Sequence, residues 1–201
     1  MSDPEDREDR EDQKDRETPE SREWRTAVLE AFADTIVPGE KRHPGDRAVA
    51  GVSADGGAVA SGAIDVLETP EGGMAPALDD LARALDGHAV RFRAEHGLPP
   101  EDREPFVGLD YADRLTLVGE LLAPGHPERV MWAGLAMFSF MAFDTGAHLH
   151  TTEAIASGHP GLRILGFAPP GEDGLWRFPA FSYGRRLADL HPDTDRSGSP
   201  A

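Results

Sequence analysis

From Val130 to Phe143 the chain reads VMWAGLAMFSFMAF, and thirteen of these fourteen residues are apolar or glycine, with Ser139 the one exception. A helix that is apolar on every side has no face to offer water, so it must be wrapped by other helices or by a partner. Its start is marked by Pro127, placed where a missing N–H costs nothing, and by Glu128, which suits the positive end of the helix dipole. Fourteen residues rise only about 21 Å, short of the roughly 30 Å hydrocarbon core of a bilayer. Arg129 and Asp144 also bracket the run closely. The segment 127–143 therefore predicts a central core or interface helix, not a membrane span.

The rest of the chain supplies helices to surround it. Thr18-Pro19-Glu20 is a helix-start signature, and Trp24, Val28, Phe32 and Ile36 follow four apart, with Pro38-Gly39 as the stop. A loop rich in glycine and small residues comes next, with a short helical turn expected near Ala48 to Val52 and a helix near Ala58 to Leu67. Leu78, Leu81, Leu85, His88 and Phe92 mark a longer helix over about 75–96, with His88 in a packing role beside the apolar stripe. Asp110 caps a helix over about 111–122 lined by Leu115, Val118, Leu121 and Leu122, and the short link to the apolar helix makes the two antiparallel neighbours. The expected fold is all-α, a single helical-bundle-like domain over residues 21–190 around the buried apolar helix. Residues 1–20 hold ten acids and too little apolar surface to offset the entropy of folding, so a disordered acidic tail is expected there. Residues 191–201 read as a flexible C-terminus.

Composition narrows the function. The formal net charge is −17, which leaves no basic stripe to neutralise phosphates and argues against nucleic acid or an anionic membrane as partner. The absence of cysteine removes disulfides, thiolate nucleophiles, iron–sulfur clusters and cysteine zinc sites together. The first twenty residues lack the apolar middle of a secretory signal, and a cytoplasmic location is expected. No GxSxG, GxxxxGK[ST] or GxGxxG pattern occurs in a fitting context, and the glycine pairs at 56–57 and 72–73 read as flexible loop positions.

Two functional readings stand beside each other. After the apolar helix comes an irregular stretch with Trp176, Phe178, Phe181 and Tyr183, too ringed to be left in water and too irregular to stand alone. With Trp132, Phe138 and Phe140 of the apolar helix, these residues read as an interface for another protein. The alternative is a stand-alone small enzyme using Asp144, His148 and His150 as metal ligands or acid and base groups. If the helix ran on past Gly146, Asp144 and His148 would share a face four residues apart. The same residues also suit capping of the helix end, and the motifs assign this chain no catalytic residue and no cofactor.

The stretch AFADTIVPGE, then HPGDRAVAGV and a later IDVLE, resembles the opening of the gluconate 2-dehydrogenase subunit 3 family. The residues that carry the likeness are Asp34, Thr35, Pro38, Gly39, Pro44, Gly45, Gly51 and Val52, with Asp113-Arg114 before LTLVGELL similar to the family's middle. The C-terminal DGLWRFPAFSYGRR looks like a feature of a cytoplasmic actinobacterial branch. The resemblance implies an all-α accessory subunit of an oxidoreductase complex. Its partner would be a flavin-dependent enzyme of the glucose-methanol-choline (GMC) type, with FAD bound in that partner.

Overall fold

The computed structural model describes residues 18–167; residues 1–17, the aromatic residues Trp176, Phe178, Phe181 and Tyr183, and the boundaries at 190 and 191 lie outside the described residues. Among the described residues there are seven α-helices and no strand: α1 (Pro19–Ile36), α2 (Ala63–Glu68), α3 (Leu78–Glu95), α4 (Tyr111–Leu121), α5 (Arg129–Thr145), α6 (Thr151–Ala156) and α7 (Pro160–Ile164). The fold class is all-α as expected.

Local signals account for the clearest boundaries. Thr18 caps α1 by accepting the Ser21 N–H at 3.2 Å, with Pro19 just inside. Pro19 and Glu20 thus belong to the helix and not to the expected tail. Asp110 caps α4 in the same way, accepting the Asp113 N–H at 2.9 Å. Helix α3 follows a 3-10 turn over Ala75–Ala77 and buries Leu78, Leu81, Leu85, Ala89 and Phe92 along one stripe.

Three expectations are corrected. The apolar helix α5 packs against α1, α2 and α7 but is not wrapped on every side, since Val130, Met137 and Phe140 are exposed; the more evenly buried helix is α1, which packs against α2, α3, α4 and α5 and buries Val28 to Thr35 except Glu30. Its small residues Ala31 and Ala33 let neighbours approach from several sides. Second, α4 and α5 are not packed side by side; each packs on α1. The link between them turns at Gly125 (φ 92°) and is closed when Arg129 donates to the Leu122 carbonyl. Third, Leu115 is 53% exposed, because α4 turns Arg114, Leu117, Val118 and Leu121 inward instead.

The region between α1 and α2 forms no helical turn at Ala48 to Val52, and the helix expected from Ala58 begins only at Ala63. Its backbone is spent on cross-links between loops. Ala58 N–H donates to the Val37 carbonyl and Glu40 N–H to the Asp55 carbonyl, both at 2.9 Å. Gly39 and Gly57 cross where these loops meet. A β-carbon on Gly57 would stand 2.3 Å from the Val37 oxygen and 2.5 Å from the Pro38 carbonyl carbon. Gly57 is therefore a tight backbone crossing and not a flexible position.

Candidate functional site

The stretch Asp34 to Val52 folds into a clamp. Asp34 is 1% exposed; its Oδ1 accepts the Gly39 N–H at 2.9 Å and its Oδ2 the Ala50 N–H at 2.8 Å. Burial pushes this carboxyl up, while the two backbone donors and nearby Arg114 pull it down. Thr35 donates to the Ala31 carbonyl, and Gly51 takes a φ of 76° that favours glycine. Asp46, one residue past Gly45, accepts from Arg42 Nε at 2.6 Å and from the Val49 N–H at 3.1 Å, and its carboxyl lies well below the usual range because of Arg42.

Arg114 closes the clamp from α4. Its guanidinium is buried and donates to the carbonyls of Ala48 (2.6 Å), Arg47 (2.7 Å), Val107 (2.6 Å) and Leu109 (3.1 Å). Above it lies a cleft of about 390 Å³ lined by Lys41, Pro44, Arg47, Val52, Asp110 and Tyr111 among others. Because Arg114 spends its donors on backbone carbonyls, it works there as a brace. Of the residues that carry the family likeness, Asp34, Thr35, Gly39 and Gly51 thus hold the loop backbone in place.

The apolar helix α5 is covered on one side only. Trp132, Leu135, Ser139 and Ala142 are buried, a spacing that defines one inward stripe. Trp132 is corrected as an interface residue. It is fully buried against Phe32, with ring centroids 6.1 Å apart, and its Nε1 donates to Glu128 at 3.0 Å. Phe138 is half-buried and packs against the core. Phe140 remains available at 47% exposure, together with Val130 at 84% and Met137 at 53%. No helix among the described residues is long and apolar enough to cross a membrane.

The end of α5 breaks the helical register assumed for the three residues of the enzyme alternative. The helix stops at Thr145 because Gly146 turns left-handed (φ 59°), so Asp144 and His148 do not share a helical face. His150 caps α6, its Nδ1 accepting the Thr152 N–H. His148 instead packs its ring against Gly62, 6.2 Å from the ring of His159. His159 in turn hydrogen-bonds the Ser61 carbonyl at 3.0 Å. Ser61 Oγ, Asp144 Oδ1 and His148 Nδ1 are buried without a hydrogen-bond partner among the described residues. The one set of His, Asp and Glu groups there whose ligand atoms converge is elsewhere: His88, His126 and Glu128. Sequence reasoning missed it because α3 and the link before α5 are far apart in the chain; His88 beside the apolar stripe was the only signal.

Burial holds the His148 imidazole below its ordinary range, with His159 adding to that effect and Asp65 opposing it. The folded chain then binds fewer protons there than the unfolded chain, so stability falls as pH drops through the histidine range. His148→Gln is expected to shrink the loss of melting temperature between about pH 7 and about pH 5. An unchanged pH slope in that variant would refute the assignment.

A family model described as a family of unknown function, DUF5987, matches residues 23–201. No curated protein and no solved structure matches.

Proposed function

The chain belongs to the DUF5987 family, whose function is unknown, and from that premise we propose that it is a non-catalytic accessory subunit that docks on another protein through the outward side of α5. The observation that carries this reading is the row Val130, Met137 and Phe140, exposed on the most apolar helix among the described residues. Scattered exposed apolar residues need no explanation, but three of them spaced seven and three apart share one side of the helix, which suits a covered surface. The resemblance at Asp34 to Val52 supplies the partner: a cytoplasmic flavin-dependent oxidoreductase of the GMC type, with FAD on the partner's side. The scaffold role of those same residues fits a subunit that contributes shape and not chemistry.

The test is purification of the tagged full chain from its source cells, with flavin absorbance and identification of the retained protein. The reading requires a flavoprotein oxidoreductase in the complex. It also requires that Phe140→Asp weaken that complex by about 2 kcal/mol or more, the scale of an interface hot spot. Since Phe140 is half in solvent, the isolated variant should keep its helical circular dichroism and melting temperature. A retained partner without flavin would remove the oxidoreductase assignment; a complex indifferent to Phe140→Asp would remove the docking face.

The unpartnered Asp144 Oδ1 and His148 Nδ1 favour a second reading, a small enzyme with its acid and base groups at the end of α5. Turnover of a small substrate by the isolated chain, abolished by His148→Gln, would support it over the first.

A further inference from the structure

His88 projects from α3, and His126 and Glu128 come from the link that leads into α5. One ligand atom from each of the three lies within 4.8 Å of the others. His88 Nε2 is 2.7 Å from Glu128 Oε2, and the rings of His88 and His126 have centroids 5.9 Å apart at 57°. Two imidazoles bound to one tetrahedral ion, with metal–nitrogen bonds of about 2 Å, hold their centroids about 5 to 6 Å apart. Neighbouring ligand atoms in such a site stand about 3.3 Å from each other, so the His88–Glu128 contact needs to widen by well under an ångström. We propose that His88, His126 and Glu128 form a binding site for a divalent first-row transition-metal ion of the zinc class.

The chemistry of the donors sets that class. Two imidazole nitrogens and one carboxylate suit zinc, iron, cobalt or manganese, and are a poor match to calcium or magnesium, which take oxygen shells. The surroundings orient the ligands as outer partners do in metal sites. Trp132 Nε1 donates to the same Glu128 oxygen at 3.0 Å, and the His88 and Trp132 rings meet edge to face with centroids 5.7 Å apart at 80°. The turn carrying His126 and Glu128 is closed by His126 N–H on the Ala123 carbonyl and Arg129 N–H on the His126 carbonyl, both at 3.1 Å. Glu128 is exposed, which gives an ion a way in and leaves positions for water.

The competing account is a purely structural relay from Arg91 through His88 and Glu128 to Trp132. Arg91 Nη2 lies 2.9 Å from His88 Nδ1, so in the relay the imidazole proton sits on Nε2. Binding a metal at Nε2 moves that proton to Nδ1, and Arg91 must release it. Arg91 is exposed, so release has little cost. His126 gives up only a long 3.2 Å contact from the Glu128 N–H to its Nδ1.

The experiment uses the tag-free full chain, stripped with chelator and titrated with Zn²⁺ by calorimetry and with Co²⁺ by visible absorption. One equivalent should bind, with cobalt bands of four- or five-coordinate intensity. His126→Ala is the decisive variant, since it leaves the His88–Glu128–Trp132 contacts in place; it should lose about tenfold or more in affinity, as should Glu128→Gln. Arg91→Ala should bind at least as tightly as the parent. Circular dichroism confirms that each variant is folded, and a variant that is not is replaced by His126→Gln. The proposal is overturned by the absence of saturable binding, by binding that His126→Ala and Glu128→Gln leave intact, or by a tenfold loss in Arg91→Ala.

Discussion

Arg114→Met is expected to cost about 3 to 5 kcal/mol, the scale of removing one partner from a buried charged network, out of a total stability of about 5 to 15 kcal/mol. The methionine fills much of the same volume, so the loss comes from polar groups. The carbonyls of Arg47, Ala48, Val107 and Leu109 lose their donor, and Asp34, whose carboxyl burial already pushes up, loses a positive charge that works against that push. Urea denaturation reads the midpoint directly. Adding Asp34→Asn should recover part of the loss, because the amide no longer buries an unbalanced charge, although its NH₂ cannot serve one of the two backbone donors it faces. A cost below about 1 kcal/mol for the single variant, the size of one ordinary hydrogen bond, would mean that water replaces Arg114 and that the clamp is not braced from α4.

What the sequence made readable was local. A threonine followed by proline and an aspartate before an apolar run announce their own helix starts, because the cap needs only neighbours within three residues. The direction of α5 was not readable, for a physical reason: a helix apolar on all sides carries no periodic signal to say which side is inward. Trp132 and Phe140 look equivalent as letters, yet one is fully buried and the other is half exposed. Arg114 failed differently. Its spacing with Leu117, Val118 and Leu121 is that of a core stripe, but a charged residue is read as surface unless its partners are known, and two of its four partners, Arg47 and Ala48, lie on a loop more than sixty residues away. The candidate metal ligands share that difficulty, since His88 and Glu128 are forty residues apart in the chain. Gly57 and Gly39 show it for backbone, where a close crossing exists only once both loops are in place.

The same contrast sets the second large effect. Trp132→Ala should cost about 3 to 5 kcal/mol, as large aromatic truncations in a core do, because the ring is enclosed between Phe32 and His88 and its N–H is spent on Glu128. Trp132→Phe separates the two contributions: it keeps most of the ring volume and drops the N–H, so about 1 kcal/mol of the loss should remain. Phe140→Ala on the same helix is the control, expected to change stability by less than about 0.5 kcal/mol, as for surface substitutions. All three are measured as denaturation midpoints of the isolated chain, with an unchanged dependence on denaturant to show that the unfolding reaction is the same. If Trp132→Ala leaves the isolated chain as stable as Phe140→Ala does, while weakening its complex with a partner, then α5 presents its other side outward and the docking face moves from Val130, Met137 and Phe140 to the stripe of Trp132, Leu135 and Ala142.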